Sequence, residues 1–221
     1  MIQQIITSFI STVHMIQRVV RSVRQRLQWL AGKGRSAEEF VQRYAQRERD
    51  TWAYDESKAH LRRREMIMAA LGERTFTSAV EVGCAEGFLT VALASRAAQL
   101  VACDLAPEAV RRTRERCADM NGVTVVETDI RKGFPCSRVD LLFFSDVLYY
   151  LSKKEIVAVL AAAQKHVVPG GWLLFANEWS PAHRRLTSPD VVLRMIGERA
   201  EWRQVSVERG AWLTIGVFER V

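Results

Sequence analysis

The chain has 221 residues, enough for one ordinary domain with an appendage, and its composition (48% hydrophobic, 26% charged) is that of a globular protein. The net charge is +7, but residues 1–37 contain six basic residues and no acidic ones, so the remainder holds 26 basic residues against 25 acidic ones. A nearly neutral core disfavours nucleic-acid binding. The four cysteines form no C-x-x-C pair and have no histidine at ligand spacing, so we expect no metal site and reduced thiols in a cytoplasmic protein.

Residues 1–35 are predicted to form a basic amphipathic helical arm. Apolar side chains recur every three or four residues from Ile2 to Leu30, and glutamines and arginines occupy the opposite face. The apolar runs are too short for a membrane span, and no cleavage site typical of a signal peptide follows them. Two placements fit this pattern: packing on the domain or a partner protein, or peripheral binding to the anionic inner membrane surface.

Residues 36–221 are predicted to form one domain, with a helical cap at 36–72 and an alternating strand–helix core at 78–221. The predicted strands are 78–83, 99–104, 123–129, 139–146, 172–179 and two in 205–220; the predicted helices are 88–97, 107–120, 153–167 and about 189–199. This order indicates a Rossmann-like α/β fold. We expect a seven-stranded, mostly parallel sheet with helices on both faces and a C-terminal antiparallel hairpin.

The segment VEVGCAEGF (80–88) follows the first strand of the core, where such folds bind nucleotides. It departs from the dinucleotide fingerprint, because Ala85 and Phe88 replace its second and third glycines, and no Lys-Ser/Thr of a phosphate loop follows. Glu86, beside the predicted helix start, is expected to repel a phosphate that the helix would otherwise attract. The loop therefore predicts a nucleoside without phosphate at this point, such as S-adenosylmethionine (SAM).

Acidic residues at three successive strand ends support this cofactor. Glu81 is suited to the ammonium group of SAM, and Gly83 allows close approach of the backbone, with N–H groups at the helix start for the carboxylate. Asp104 is placed for both ribose hydroxyls, and Asp129 for the adenine amino group with Ile130 against the ring. Neighbouring positions complete the expected cofactor contacts: Cys84, Gly87, Leu105, Ser145 and Asp146.

The motifs EVGCAEG, ACDLAPEAVRRTRERC, SDVLYYL and PGGWLLFA resemble class I SAM-dependent methyltransferases. More narrowly, DTWAYDES followed by RRR, with EVGCAEGFLT and DVLYYL, resembles the nodulation N-methyltransferase (NodS-like) family over roughly 36–221. The resemblance implies that Trp52 covers the cofactor and that Arg62 binds its carboxylate, with Arg63 as second choice. Thr51 stands where the family has proline and His60 where it often has an acid, which affects the entry to the site.

Candidate catalytic residues lie around the expected mouth of the site. Asp146, after the central strand, is the first choice to hold an ammonium nucleophile or accept its proton. Tyr149 is expected to wall or orient the acceptor, and His183 is a candidate base by residue type. Tyr150 and Glu178 lie at the same mouth.

The NodS-like resemblance implies a methyltransferase that acts on a small molecule or saccharide, by N-methylation of an amino sugar or oligosaccharide amine. Two alternatives stay open. One is an O-methyltransferase acting on a sugar or lipid-linked glycan at a membrane surface. The other is a non-catalytic binding module that retains the SAM-binding fold.

Overall fold

The computed structural model describes residues 12, 13, 15, 16, 20, 35–46, 51, 57–180, 183 and 186–221. Most of the predicted arm lies outside this set; of its six described positions, five are helical and Arg35 is not. The division into an arm at 1–35 and a domain at 36–221 therefore stays a prediction. Among the described residues, no helix has the length and apolar content needed to cross a bilayer.

The predicted fold class is confirmed. Seven strands form one sheet: β1 (Phe76–Val82), β2 (Ala97–Asp104), β3 (Val123–Glu127), β4 (Val139–Ser145), β5 (Val167–Glu178), β6 (Trp202–Arg209) and β7 (Leu213–Arg220). The described helices are α1 (Ala37–Ala45), α2 (Lys58–Leu71), α3 (Phe88–Leu93), α4 (Pro107–Arg116), α5 (Lys153–His166) and α6 (Pro189–Gly197). The strand order is β3-β2-β1-β4-β5-β7-β6, with β1 to β5 parallel and β7 antiparallel to both of its neighbours.

The C-terminal hairpin refines the prediction of an antiparallel edge. The second strand, β7, inserts between β5 and β6, so β6 forms the edge of the sheet. Burial follows this order, because Leu213–Phe218 are all buried whereas most of β6 is exposed. The apolar run LTIGVF thus lies inside the sheet, and the polar sequence RQVSVER faces solvent at its edge.

Three predicted boundaries were wrong by four or five residues. The helices predicted for 88–97 and 107–120 end at Leu93 and Arg116. The strand predicted to begin at residue 172 begins at Val167, directly after α5, so Pro169-Gly170-Gly171 lies within β5. A Cβ at Gly171 would lie 2.8 Å from the Val168 carbonyl oxygen and 3.2 Å from the Asp140 Cα. Glycine therefore permits a close approach of β4 and β5, where their register shifts between Val139 and Leu141.

Two apolar layers cover the two faces of the sheet. Alternate residues of the central strand β4 enter different layers: Leu142 and Phe144 join the layer with α5 and α6, and Leu141 and Phe143 join the layer with α2 and α3. β4 has no alternating polar residues because both of its faces are buried. The parallel strands β1 to β5 bring their carboxyl ends to one edge of the sheet. Tyr44 of α1 packs on the loops at this edge.

Candidate functional site

A cavity of about 270 Å³ lies at the carboxyl ends of β1 to β4, with Phe40 and Tyr44 of α1 in its wall. It collects most of the predicted site residues: Gly83, Asp104, Leu105, Asp129, Ile130, Ser145, Asp146, Tyr149 and His183. A second cavity of about 40 Å³ shares Gly83 and Ser145 with the first, and it is lined by the predicted residues Glu81 and Cys84. The structure thus brings together residues from four different strand ends.

Gly83 brings the backbone of the nucleotide loop (Gly83–Gly87) close to the segment after β4. Its φ is +84°, and a Cβ there would lie 2.4 Å from Val147 Cγ2 and 2.5 Å from the Ser145 carbonyl oxygen. Any larger residue would therefore be strained and would collide with the segment after β4. Gly87 lines neither cavity and lies against α4, where a Cβ would be 3.0 Å from Thr113 Cγ2, so its predicted cofactor contact stays a prediction.

The N–H groups of this loop are mostly engaged within the protein. Gly83 and Cys84 donate to the Cys103 carbonyl oxygen at 2.8 and 3.1 Å. Ala85 donates to Asp104 Oδ2 at 3.1 Å. These three N–H groups are therefore engaged within the protein, and the expected contact of the cofactor carboxylate with N–H groups at the start of α3, which begins at Phe88, stays a prediction.

Glu86 was expected to repel a phosphate at the cavity. Its side chain lines neither cavity, and its charge is paired within the protein. Its side chain is buried, and Oε1 accepts hydrogen bonds from the Thr51 N–H at 2.7 Å and from Arg112 Nη1 at 2.9 Å. Arg112 Nη1 also donates to Thr51 Oγ1 at 3.0 Å, and Nη2 donates to the Tyr44 carbonyl oxygen at 3.4 Å. Glu86 therefore ties the nucleotide loop to Thr51 and α4, and its charge is matched by Arg112.

The carboxyl group of Glu81, in β1, is fully buried beneath the nucleotide loop. Its Oε2 accepts from Thr90 Oγ1 at 2.6 Å, and Oε1 has no hydrogen-bond partner among the described residues. Burial raises the pKa of Glu81 from 4.5 to about 7, although Thr90 and Arg63 act in the opposite direction. An acceptor left open in this way fits a cationic ligand group or a bridging water.

Asp104 is held at the end of β2 by backbone donors. Its Oδ2 accepts from the Ala85 N–H at 3.1 Å and its Oδ1 from the Ala106 N–H at 3.0 Å. Burial raises the pKa of Asp104 to about 6, and these backbone bonds partly offset the rise. A carboxylate can accept about four hydrogen bonds, so Asp104 keeps acceptor capacity for ligand hydroxyls in the cavity.

Asp129 is more occupied than the sequence suggested. Arg131 forms a fork on it, with Nε 2.8 Å from Oδ1 and Nη2 2.7 Å from Oδ2. Burial raises the pKa of Asp129, but the hydrogen bonds and charge of Arg131 outweigh this effect and hold the pKa below its usual value. Arg131 also donates to the Arg35 carbonyl oxygen at 3.2 Å. An adenine amino group would therefore share Asp129 with Arg131, while Ile130 presents a buried apolar surface.

The two candidate arginines of α2 have different environments. Arg62 is exposed and lines neither cavity, whereas Arg63 is 4% exposed. Arg63 Nη2 lies 2.6 Å from Asp146 Oδ2 and donates to Ser145 Oγ at 3.1 Å, and its Nε lies 3.6 Å from Glu178 Oε1. The proposed partner of the cofactor carboxylate therefore moves from Arg62 to Arg63. Trp52, the proposed cover, lies outside the described residues.

Asp146 crosslinks the ends of two strands. It has a φ of +53°, an uncommon value that Asp tolerates better than most residues, and its N–H donates to the Ala176 carbonyl oxygen at 2.9 Å. Its Oδ1 accepts from the Glu178 N–H at 2.7 Å, and Oδ2 faces Arg63. Both oxygens of the first-choice catalytic residue thus have protein partners.

Aromatic rings form a continuous row beside these acids. The ring centroids of Phe40 and Tyr150 lie 4.8 Å apart, those of Tyr150 and Tyr149 4.2 Å apart, and those of Tyr149 and His183 5.4 Å apart in a stacked arrangement. Tyr149 donates a hydrogen bond to the Tyr150 hydroxyl at 3.1 Å. Burial raises the pKa of Tyr149 and lowers that of His183, so at neutral pH the row carries no charge.

Several cavity residues were not predicted from the sequence: Arg35, Phe40, Tyr44, Thr128 and Arg131. Phe40 and Tyr44 lie four residues apart on α1, which places them on one helical face, and this spacing was the available signal. The others carry no local pattern that marks them.

The described residues at the first two strand ends fit SAM. Glu81 Oε1 offers a buried acceptor, Gly83 lines both cavities, and Asp104 is held at the second strand end. When bound, SAM supplies a methyl group on a positively charged sulfur. The cavity has the acids and the close backbone approach for such a cation, and Arg63 lies beside it for a carboxylate.

Comparisons with known proteins agree with this fit. Residues 36–203 match the family model described as Nodulation protein S (NodS). Nodulation protein S of Sinorhizobium fredii is 30% identical over 157 residues, which cover 67% of this chain and 71% of the relative. That of Rhizobium tropici is 30% identical over 168 residues, covering 72% and 68%.

A solved structure shows the same fold. The crystal structure of the N-methyltransferase NodS from Bradyrhizobium japonicum WM9, in complex with S-adenosyl-L-homocysteine (SAH), has a TM-score of 0.74 and 22% identity. The match covers 84% of this chain and 99% of the other. The chain therefore belongs to the Nodulation protein S (NodS) family of SAM-dependent methyltransferases.

Proposed function

We propose that this protein transfers a methyl group from SAM to the amine of an amino sugar or of a partly deacetylated oligosaccharide. The proposal rests on the wall of the main cavity, where a row of aromatic rings lies beside a pair of acids. Tyr149, Tyr150 and His183 provide flat faces, and Asp146 and Glu178 provide negative charge. The polarised C–H groups of a sugar ring pack on aromatic faces, and an ammonium group is attracted to carboxylates.

The protein's contribution to this reaction is alignment, exclusion of water and control of a proton. The amine must be neutral when it attacks, so a proton acceptor is needed near the nitrogen. Asp146 and Arg63 hold the ends of β4 and β5 in a fixed relation, which supports alignment. The aromatic row supplies an apolar wall on the acceptor side.

A methyl-transfer screen tests the proposal. We expect SAM to methylate glucosamine oligomers with a free amine, with the added mass located on nitrogen by fragment-ion mass spectrometry. Fully N-acetylated oligomers of the same length are the matched control and should remain unchanged. Equal methylation of both sets would contradict the proposed acceptor.

The alternative of O-methylation is favoured by one observation. His183 has a lowered pKa and stacks on Tyr149 in the cavity wall, so a neutral imidazole is present that could take a proton from a hydroxyl. The same screen separates the two reactions, because fragment ions then locate the methyl group on oxygen in the N-acetylated control. A non-catalytic binding module predicts SAH binding with no methylated product from any acceptor.

We also propose that the arm brings the enzyme to an anionic membrane surface from the cytoplasmic side. Met15, Ile16 and Val20 are 60%, 55% and 61% exposed, and the arm contains basic but no acidic residues. Such helices bind anionic lipid through apolar insertion and charge. In flotation with phosphatidylglycerol vesicles at low salt, the full chain should float and a chain lacking residues 1–34 should not. Failure of both to float would favour contact with the domain or a partner protein.

A further inference from the structure

Glu178 is the carboxylate that the structure leaves best placed to act on an acceptor. It is the last residue of β5 and lines the main cavity, and its side chain is 32% exposed. Its backbone N–H is fixed by Asp146 Oδ1 at 2.7 Å, whereas its Oε1 lies 3.6 Å from Arg63 Nε and 3.7 Å from His60 Nδ1. The main chain is thus held while the carboxylate faces the cavity.

Two other candidates at this mouth, Asp146 and Tyr149, are less suited to accept a proton. Asp146 uses one oxygen for the Glu178 N–H and the other for Arg63. The Tyr149 hydroxyl is already a donor to Tyr150, and burial raises its pKa, so it stays protonated. Asp146 is therefore a positioning residue, which orients Glu178 through the backbone and Arg63 through its guanidinium.

We propose that Glu178 is the catalytic base that removes a proton from the acceptor ammonium group, a role that rests on the proposed amine methylation. In this step an N–H bond breaks and an O–H bond forms at the Glu178 carboxylate. The nitrogen keeps the electron pair that it needs to attack the methyl group. The proton then leaves to solvent through the exposed side of the carboxyl group.

The electrostatic surroundings favour this role. Burial and the charge of Asp146 raise the pKa of Glu178 to about 7, although Arg63 acts in the opposite direction. A base whose pKa lies near the working pH gives efficient proton transfer. Charged and titratable groups from every neighbouring element line this mouth: Arg35 before α1, His60 and Arg63 from α2, Asp146, Tyr149 and Tyr150 from the segment after β4, and His183 from the loop after β5.

The sign of the pH dependence follows from the ionised state that a base requires. Below about pH 7 Glu178 holds a proton and cannot accept another, so kcat should fall about tenfold per pH unit. Glu178→Gln removes the base but keeps the backbone N–H that binds Asp146. We expect kcat with a glucosamine oligomer to fall by about 10²- to 10⁴-fold, and the acidic limb of its pH profile to follow the ionisation of the acceptor amine instead of that of Glu178.

Two measurements separate this effect from a loss of structure. Calorimetric SAH affinity of Glu178→Gln should stay within about threefold of wild type, which amounts to less than about 1 kcal/mol. Glu198→Gln, at an exposed position after α6, is the matched control and should retain wild-type kcat and pH profile. Binding of a glucosamine oligomer to the SAH complex should weaken below about pH 7 in wild type and be nearly independent of pH in the Gln variant.

The outcomes distinguish the two proposals. An unchanged kcat with a raised KM at every pH would mean that Glu178 only binds the ammonium group, and it would overturn its role as base. An acidic limb with the wild-type midpoint in Glu178→Gln would overturn it as well. A wild-type enzyme that forms no N-methyl product would overturn the proposed acceptor itself, whatever the variant does.

Discussion

Replacing Glu81 by Gln should stabilise the ligand-free protein at alkaline pH while weakening its SAH affinity. Glu81 is fully buried, and its only hydrogen bond among the described residues comes from Thr90. Glutamine has nearly the same shape, and its carbonyl oxygen can accept the same bond. The substitution therefore removes a buried ionisable group with little change in packing.

The magnitude follows from the pKa of Glu81, which burial raises from 4.5 to about 7. The folded state thus holds a proton that the unfolded chain releases between these two values. The free energy of unfolding falls as pH rises through this window, by about 1.4 kcal/mol per pH unit. Over the full shift the loss is about 3 kcal/mol, and it stays constant above about pH 7.

Urea denaturation at about pH 5 and about pH 8 measures this difference. Relative to wild type, Glu81→Gln should gain about 2 to 3 kcal/mol between the two pH values, because the variant has no group that titrates there. The exposed control Glu198→Gln should show no such gain. If the free energies of unfolding of Glu81→Gln and wild type differed by the same amount at both pH values, Glu81 would not have the raised pKa that this prediction uses.

Two further substitutions test other parts of the site. Gly83→Ala should weaken SAH binding by more than about 100-fold in calorimetry, because its Cβ would overlap the segment after β4. Its control is Gly72→Ala, where φ is +58° and no atom lies within 4 Å of the added Cβ. This control should lower the free energy of unfolding by about 1 to 2 kcal/mol and leave SAH affinity unchanged. Arg112→Met should lower the free energy of unfolding by about 3 to 5 kcal/mol, since it leaves buried Glu86 without its partner. Adding Glu86→Gln should restore part of that loss, and an undiminished loss in the double variant would contradict the pairing.

The sequence predicted the elements whose signals are local. Apolar runs marked the buried strands, and Asp104 was identified because an acid at the end of the second strand must lie at the carboxyl edge of the sheet. The structure favours the second choice, Arg63, over Arg62 as the partner of the cofactor carboxylate, and this one-residue change is a rotation of about 100° around a helix. The signal was present, because Arg63, Ile67 and Leu71 are buried at spacings of four.

The remaining errors concern contacts between distant segments. Glu86 was expected to repel a phosphate at the nucleotide loop, but its charge is paired with Arg112, which lies 26 residues away in sequence and is brought close only by the packing of α4. The cavity wall from α1 was missed for the same reason. Glu178 and Asp146 were both recognised as acids at the mouth, yet which carboxylate stays available depends on the 2.7 Å bond between them.

The most direct test of the cofactor site is a calorimetric titration of SAH into wild type and Asp104→Ala. We expect Asp104 to accept the ribose hydroxyls, and two hydrogen bonds to a charged group contribute about 3 to 5 kcal/mol. The variant should therefore bind SAH at least about 100-fold more weakly, while Asp119→Ala, at an exposed position after α4, should bind like wild type. Equal SAH affinity in wild type and Asp104→Ala would contradict the location of the cofactor at the ends of β1 and β2.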